Sequence, residues 1–272
     1  MEILIIRNHR AVHHQPSPQA EPLNNLEIFS KFYVQPIFIY FIAKNHFFRG
    51  INFIIQLTRK NFCGKPIISY IIETASKTNL FSKIHISTES KEIFNLVSSM
   101  GLKPDFKRPK NLADDHTPLM PVIKYVVEKY KEINQIYEEI WLLYPCSPLI
   151  TEKDLNGAAD LFKKQKNKKP LLSICEYSVP IEWAYLKGDD AALTPINPGK
   201  FATRSQDLEK KYFDTGNFVV FASKHIEKFD YQSNGNDTDY LGYKLTKSSS
   251  IDIDDLEDWA IAEAIYKNKN IK

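Results

Sequence analysis

Two aspartates separated by a single residue, Asp252 and Asp254, are the side chains of this sequence best suited to chemistry. In a strand, alternate side chains share one face, so the two carboxylates would project together with Cα atoms about 6.5–7 Å apart. Ile251 and Ile253 would then point into the core, and the carboxylate pair could hold a hard divalent cation together with water and phosphate oxygens. The alternative is structural: Asp254 caps the last helix, and Glu257 completes a capping box. The two interpretations are compatible.

A second polar segment carries Arg204 and Gln206, and the run Tyr212–Asn217 follows it. The planar donor fork of Arg204 suits a carboxylate or a phosphate, and Gln206 can bind hydroxyl or amide groups of a sugar. Gly216 would allow a tight turn or the close approach of a ligand to the backbone. The alternative is a polar surface loop with local ion pairs.

A third candidate segment runs from Arg108 to Thr117. These two residues could lie against a nucleotide base or a phosphate. Alternatively, Asp114 and Asp115 form the N-terminal cap of the next helix. His116 is more typical of a surface residue than of a ligand.

Alternating strands and helices must position these side chains. The apolar periodicity predicts helices that begin near residues 67, 90, 119, 151 and 254, and strands at 83–87, 139–143, 171–175, 218–221 and 250–253. Such alternation builds an α/β protein with a doubly wound, mostly parallel sheet, whose ligands bind beyond the carboxyl ends of the strands.

The composition excludes several classes of protein. A balance of 36 basic and 33 acidic residues indicates neither a nucleic-acid partner nor a membrane surface. Three cysteines without C-x-x-C spacing are typical of a reducing compartment, so we expect a cytoplasmic protein. The apolar run at 37–43 is well short of the roughly 18 residues that span a bilayer, so we expect no membrane partner.

The order and separation of six short motifs resemble the acylneuraminate cytidylyltransferases, the enzymes that activate nine-carbon sialic-type sugar acids. The resemblance covers residues 60–266, and Tyr144 and the segment Pro180–Ala184 are most similar to the pseudaminic acid branch of that family. The motifs are Phe62–Pro66, Ser87–Glu89, Arg108–Asp115, Pro145–Leu149, Arg204–Leu208 and Asp252–Asp254.

The resemblance implies a Rossmann-like nucleotidyltransferase fold and a homodimer formed through a small extension near residues 178–215. It implies transfer of CMP from CTP to a nine-carbon sugar acid, most like pseudaminic acid, with release of pyrophosphate. Asp252 and Asp254 would hold Mg²⁺, and Asp252 and Arg204 would be the catalytic residues. The implied substrate-binding residues are Arg108 and Thr117 beside the cytidine, Arg204, Gln206 and Asp207 at the sugar, Tyr144, and Lys65, which could instead help to begin the first helix.

The first 58 residues depart from this family. They contain one glycine, Gly50, and no aspartate, whereas the family opens with a glycine-rich loop that cradles the triphosphate. We therefore divide the chain into an atypical segment, 1–58, and a cytidylyltransferase-like domain, 59–272. The segment could mark a divergent member, a frameshifted or decayed first βα unit, or an inactive homologue, and we favour the frameshift. Alternative reading frames that lack an Arg-Gly-Gly-Ser-like peptide upstream of Phe62 would exclude it.

Overall fold

A computed structural model describes residues 2–6, 37–40, 56–114, 117–227 and 239–270. The strands are β1 (Glu2–Ile6), β2 (Ile37–Tyr40), β3 (Asn61–Phe62), β4 (Lys65–Pro66), β5 (Lys83–Ser87), β6 (Glu139–Leu143), β7 (Leu171–Glu176), β8 (Tyr185–Lys187), β9 (Leu193–Pro195), β10 (Tyr212–Ala222) and β11 (Leu241–Lys244). The helices are α1 (56–59), α2 (Ile67–Lys77), α3 (Lys91–Ser99), α4 (Leu119–Glu132), α5 (Glu152–Lys164), α6 (Ser223–Glu227) and α7 (Leu256–Asn270).

One seven-stranded sheet has the order β1-β5-β2-β6-β10-β7-β11. Strands β2, β5, β6, β7 and β11 run in one direction, whereas β1 and β10 run against their neighbours. The predicted α/β class with a mostly parallel sheet is confirmed. Among the described residues, no helix is long and apolar enough to cross a bilayer.

Helices cover both faces of the sheet because the side chains of each central strand alternate between them. Trp141, Leu143 and Phe218 face a core formed with α2, α3 and α5. Ile140 and Leu142 face the opposite core, which is formed with α4 and α6. Strand β6 is buried along its whole length, as its nearly continuous apolar run predicts. This packing makes the sheet a rigid support for the loops at its edges.

Local signals place several helix starts correctly. Thr151 accepts a hydrogen bond from the backbone N–H of Asp154, whose side chain accepts one from the backbone N–H of Thr151. This capping box begins α5 where the sequence predicts it. Ser90 caps α3 in a similar way through the N–H of Ile93.

The predicted strand at 250–253 is wrong. After β11 the chain turns at Thr246, whose carbonyl accepts a hydrogen bond from the N–H of Ser249, and residues 250–254 pair with no described strand. Ile253 instead packs into a third cluster with Phe62 and Trp259, and Ile251 packs against that cluster. The apolar alternation at this position therefore reflects contact with α2 and α7 rather than membership of the sheet.

Residues 177–211, which we call the extension, connect β7 to β10. The backbone N–H of Tyr177 donates to the carbonyl of Lys211, so the extension leaves and returns at one point. It contains the β8–β9 hairpin and three turns of 3-10 helix. The sequence pattern predicts neither this hairpin nor β11, because both are short. Most of the first 58 residues, including Gly50, lie outside the described residues, so the boundary at 58 stays a prediction.

Candidate active site

The predicted site segments around Arg108, Tyr144 and Arg204 follow or contact strand ends at one edge of the sheet. Strands β5, β6 and β7 are parallel, so their carboxyl ends lie on the same side, and the antiparallel strand β10 begins there. The loop after β6, the extension after β7 and the segment that contacts the end of β5 all leave from this edge. The general rule for ligand sites in doubly wound sheets therefore applies here.

Asp252 and Asp254 lie beside the loop that follows β6. Burial, together with the nearby carboxylates of Asp252 and Asp254, raises the pKa of the Cys146 thiol to about 12, although a hydrogen bond with Thr58 opposes the shift. Cys146 also packs against the same apolar cluster as Ile253. Two segments more than 100 residues apart in sequence therefore form one acidic corner.

The cap of α7 is one residue later than predicted. Oδ1 of Asp255 accepts hydrogen bonds from the N–H groups of Glu257 at 2.8 Å and of Asp258 at 3.0 Å. Oδ2 of Asp258 accepts from the N–H groups of Asp254 and Asp255. Asp255 and Asp258 thus form the capping pair, and the predicted pair of Asp254 and Glu257 is wrong.

The donor set of this corner suits a hard cation that keeps water and phosphate in its shell. Asp252 is partly buried and Asp254 is exposed, and both supply carboxylate oxygens. Within the described ranges, no group of three or more His, Cys, Asp and Glu side chains could hold a metal ion. Two carboxylates with ligand oxygens fit Mg²⁺ better than zinc, which takes nitrogen and sulfur ligands. The magnesium site stays a prediction.

Arg108 is buried at the end of β5, where it is 6% exposed. Its guanidinium donates to the carbonyls of Ser87 at 3.1 Å and Leu112 at 3.4 Å, and it lies 3.2 Å from Glu89. Its backbone N–H donates to the carbonyl of Thr88. We call residues 105–112 the Arg108 arch, because these contacts fold the segment over the strand end.

Thr117 lies between the Arg108 arch and α4. Its backbone N–H donates to the carboxylate of Asp114 at 2.7 Å, so Asp114 closes a turn before α4. The helix itself is preceded by Pro118 without a side-chain cap. The expectation that Asp114 caps α4 is therefore only partly met, and Asp115 and His116 lie outside the described residues.

Tyr144 connects the Arg108 arch with the acidic corner. Its ring packs into the α4 cluster, against which Phe106 and Leu112 of the arch also pack. Cys146, two residues after Tyr144, lies at the acidic corner beside Asp252. The loop after β6 therefore borders both predicted subsites.

A buried bulge in β10, which sequence reasoning missed, supports Tyr144. The pairing of β10 with β7 shifts between Asp214 and Val219, and Gly216 has a positive φ of 63°. Oγ of Ser173 lies 2.8 Å from Oγ1 of Thr215, and the carbonyl of Asn217 accepts from the N–H of Tyr144. A serine inside the apolar strand 171–175 was the available signal.

Arg204, Gln206 and Asp207 lie on the extension. Nε and Nη2 of Arg204 lie 2.8 and 3.2 Å from the two oxygens of Asp207, and the side chain of Arg204 is 70% exposed. Gln206 lines a groove of about 270 Å³ together with Tyr177 and Lys210. The local ion pair considered in the sequence analysis is present, so Arg204 and Asp207 belong to one turn of the extension.

Lys65 is engaged at the start of α2. Its ammonium group forms an ion pair with Glu73 and lies 4.4 Å from the centre of the Tyr70 ring. These contacts favour the alternative in which Lys65 helps to begin α2. Its predicted role in substrate binding is not supported by a contact with the acidic corner and stays a prediction.

Comparison with known proteins bears on the family and the fold. A family described as cytidylyltransferase matches residues 58–248. The chain is 31% identical over 215 residues to pseudaminic acid cytidylyltransferase of Campylobacter jejuni, covering 78% of this chain and 91% of the relative. It is 25% identical over 211 residues to CMP-N,N'-diacetyllegionaminic acid synthase of Legionella pneumophila, covering 75% and 86%.

A solved structure supports the fold. A CMP:2-keto-3-deoxy-manno-octonic acid synthetase in complex with CTP superposes with a TM-score of 0.57 at 9% identity, covering 78% of this chain and 92% of that chain. At this identity the similarity concerns architecture alone. The family match spans more than half of the chain, and the Campylobacter relative is covered almost completely. The chain therefore belongs to the cytidylyltransferase family of nucleotidyltransferase enzymes.

Proposed function

We propose that the protein transfers CMP from CTP to a nine-carbon sialic-type sugar acid, with pseudaminic acid as the preferred acceptor. The anomeric hydroxyl of the sugar acid attacks the α-phosphate of CTP, the new P–O bond forms, and pyrophosphate leaves. The observation that carries the proposal is the acidic corner of Asp252 and Asp254 beside the loop after β6, at the ligand-binding edge of a cytidylyltransferase fold. The identity with a pseudaminic acid cytidylyltransferase supports the choice of acceptor.

Each group of residues has a separate task in this reaction. Arg108 and Thr117 border the cytidine, and Tyr144 forms the wall between cytidine and phosphates. Asp252 and Asp254 would hold Mg²⁺, which supplies neutralisation of phosphate charge when bound. The extension would present the sugar-binding residues Arg204, Gln206 and Asp207 from the same edge.

A homodimer formed through the extension is part of the proposal. Large apolar side chains are exposed along it: Val179 (57%), Leu186 (63%), Leu193 (60%), Ile196 (52%) and Phe201 (66%). A contiguous exposed apolar surface of this kind marks an interaction site more often than a free surface. A second copy of the chain offers the same surface, as an isologous interface requires.

The test is pyrophosphate release from CTP with Mg²⁺ and a panel of nine-carbon sugar acids. We expect turnover with pseudaminic acid, a loss of about 100-fold or more in Asp252→Asn, and little change in Asp160→Asn, an exposed aspartate on α5. A parent chain that is silent with every sugar acid would refute the proposal.

A second candidate is a non-catalytic binding or dimerisation module. The observation that favours it is the missing glycine-rich phosphate loop in residues 1–58. Such a module would bind the sugar acid or a partner subunit in calorimetry while pyrophosphate release stays at background. The same panel therefore distinguishes the two functions.

A further inference from the structure

Three polar side chains form a hydrogen-bonded chain beneath the Arg108 arch. Nδ1 of His85, in β5, lies 2.8 Å from the hydroxyl oxygen of Tyr130 in α4, and this hydroxyl donates to Oδ2 of Asp105 in the arch at 2.5 Å. The ammonium group of Lys83 lies 2.6 Å from Oδ1 of the same aspartate. His85 and Tyr130 are fully buried. The proposed reaction assigns no role to these groups.

The direction of the hydrogen bonds follows from which groups keep their protons. Burial, reinforced by the neighbouring Asp105, raises the pKa of Tyr130, so its hydroxyl stays protonated. Burial favours the neutral form of Asp105, but the neighbouring His85 ring and hydrogen bonds from Lys83 and Tyr130 outweigh it and hold the pKa of Asp105 below its usual range. The single phenol proton therefore goes to Asp105, and Nδ1–H of His85 donates to the phenol oxygen.

Every residue in the first half of the arch is held by a different contact. The carboxylate of Asp105 accepts the hydrogen bond from Tyr130. The centre of the Phe106 ring lies 4.4 Å from the centre of the His85 ring. The carbonyl of Lys107 accepts from the hydroxyl of Tyr125, and the N–H of Arg108 donates to the end of β5. The position of the Arg108 guanidinium depends on this backbone path.

We propose that His85, Tyr130 and Asp105 are positioning residues for Arg108. Their directional hydrogen bonds fix the distance between the arch and β5. Apolar side chains of the same volume would fill the space without fixing that distance. The inference rests on the proposed function, because the effect on catalysis follows from Arg108 bordering the cytidine of CTP.

The experiment compares two buried tyrosines of one aromatic cluster. Tyr130→Phe removes the hydroxyl group that links His85 to Asp105 and keeps the aromatic ring. Tyr137→Phe is the matched control, because Tyr137 packs edge-on against Tyr130 at 5.4 Å and its hydroxyl donates to Gln135 instead. We expect Tyr130→Phe to raise KM for CTP about fivefold or more with kcat changed less than about twofold, and Tyr137→Phe to change neither.

Amide hydrogen exchange supplies a reading that does not depend on turnover. Exchange at residues 105–112 should quicken about tenfold in Tyr130→Phe and stay at the parent rate in Tyr137→Phe. Asp105→Asn, at a side chain that is 31% exposed and therefore easily accommodated, should reproduce the Tyr130→Phe result.

The possible outcomes separate the two proposals. Equal KM and equal exchange rates in the two tyrosine variants would overturn the positioning role. A parent chain that releases no pyrophosphate would refute the proposed function, whereas faster exchange confined to Tyr130→Phe and Asp105→Asn would still support the positioning of the arch.

Discussion

The Arg108 arch and the extension leave the same edge of the sheet but are built in opposite ways. Arg108 is 6% exposed and bonds to backbone carbonyls of its own domain, whereas the Arg204 side chain is 70% exposed and pairs only within its turn as far as the described contacts extend. The arch is supported from below by aromatic rings, and the extension presents aromatic rings outward. The proposed cytidine subsite is therefore preformed within one chain, whereas the proposed sugar subsite is suited to completion by a second copy of the chain.

The largest expected difference concerns two phenylalanines. Phe62 is fully buried with edge-on contacts to Tyr70, Trp259 and Tyr266, so Phe62→Ala should lower the free energy of unfolding by about 3–5 kcal/mol. Phe201→Ala should lower it by less than about 1 kcal/mol, because Phe201 is 66% exposed. Urea denaturation of dilute protein measures both.

The two phenylalanine variants should rank in the opposite order when self-association is measured. Sedimentation velocity should show weaker dimerisation in Phe201→Ala, while the folded fraction of Phe62→Ala should dimerise as the parent does. If Phe201→Ala unfolded as easily as Phe62→Ala, the extension would be a packed part of the domain and the comparison would fail.

The two arginines provide the next test. Arg108→Ala removes the donor to the buried carbonyl of Ser87 and the half-buried carbonyl of Leu112, and the ion-pair partner of Glu89. We therefore expect a loss of about 2–4 kcal/mol in the free energy of unfolding. Arg204→Ala breaks an exposed pair and should cost less than about 1 kcal/mol. Both should reduce pyrophosphate release, so a loss of activity without a loss of stability in Arg204→Ala would be the distinguishing result. Comparable stability losses would contradict the assignment of Arg204 to an exposed turn.

The smallest effect concerns a buried carboxyl group of the sheet, compared with an exposed one of the extension. Burial raises the pKa of Glu139, at the start of β6, to about 7, whereas the ammonium group of Lys211 lowers the pKa of Glu209 on the extension. The native chain thus keeps the Glu139 proton at pH values where the unfolded chain, with an ordinary value of 4.5, has lost it. The free energy of unfolding therefore falls as the pH rises from about 4.5 to about 7.

Glu139→Gln should remove this dependence. The variant should gain about 1–3 kcal/mol relative to the parent between pH 5 and pH 8, while the variant Glu128→Gln, at an exposed glutamate of α4, should follow the parent. Thermal or urea unfolding at the two pH values measures the difference. A Glu139→Gln variant whose advantage over the parent is the same at pH 5 and pH 8 would show that the native fold does not raise the pKa of this carboxyl.

The elements that sequence alone predicts are those whose pattern depends on local chemistry or on one long burial run. The Thr151–Asp154 box, the buried strand β6 and the amphipathic helix α4 belong to this group. Their signals are complete within a few residues, so no knowledge of distant neighbours is needed.

The failures depend on partners that are remote in the chain. The alternation at 250–253 imitates a strand because Ile253 contacts Phe62 and Trp259, and the β10 bulge depends on Ser173 in another strand. The cap of α7 was missed by one residue for a local reason: four acidic residues, Asp254, Asp255, Glu257 and Asp258, satisfy similar capping rules. Site residues were predicted by resemblance, and their roles remain to be tested.

The central proposal is that Asp254 would hold Mg²⁺ for catalysis while its neighbour Asp255 caps α7. The most direct test measures pyrophosphate release with CTP, Mg²⁺ and pseudaminic acid in Asp254→Ala and Asp255→Ala, together with the free energy of unfolding of each. We expect Asp254→Ala to lose about 100-fold or more in activity with little change in stability. Asp255→Ala should lose about 1 kcal/mol of stability, because it removes the cap of α7, and keep most of its activity. Full activity in Asp254→Ala would contradict the claim.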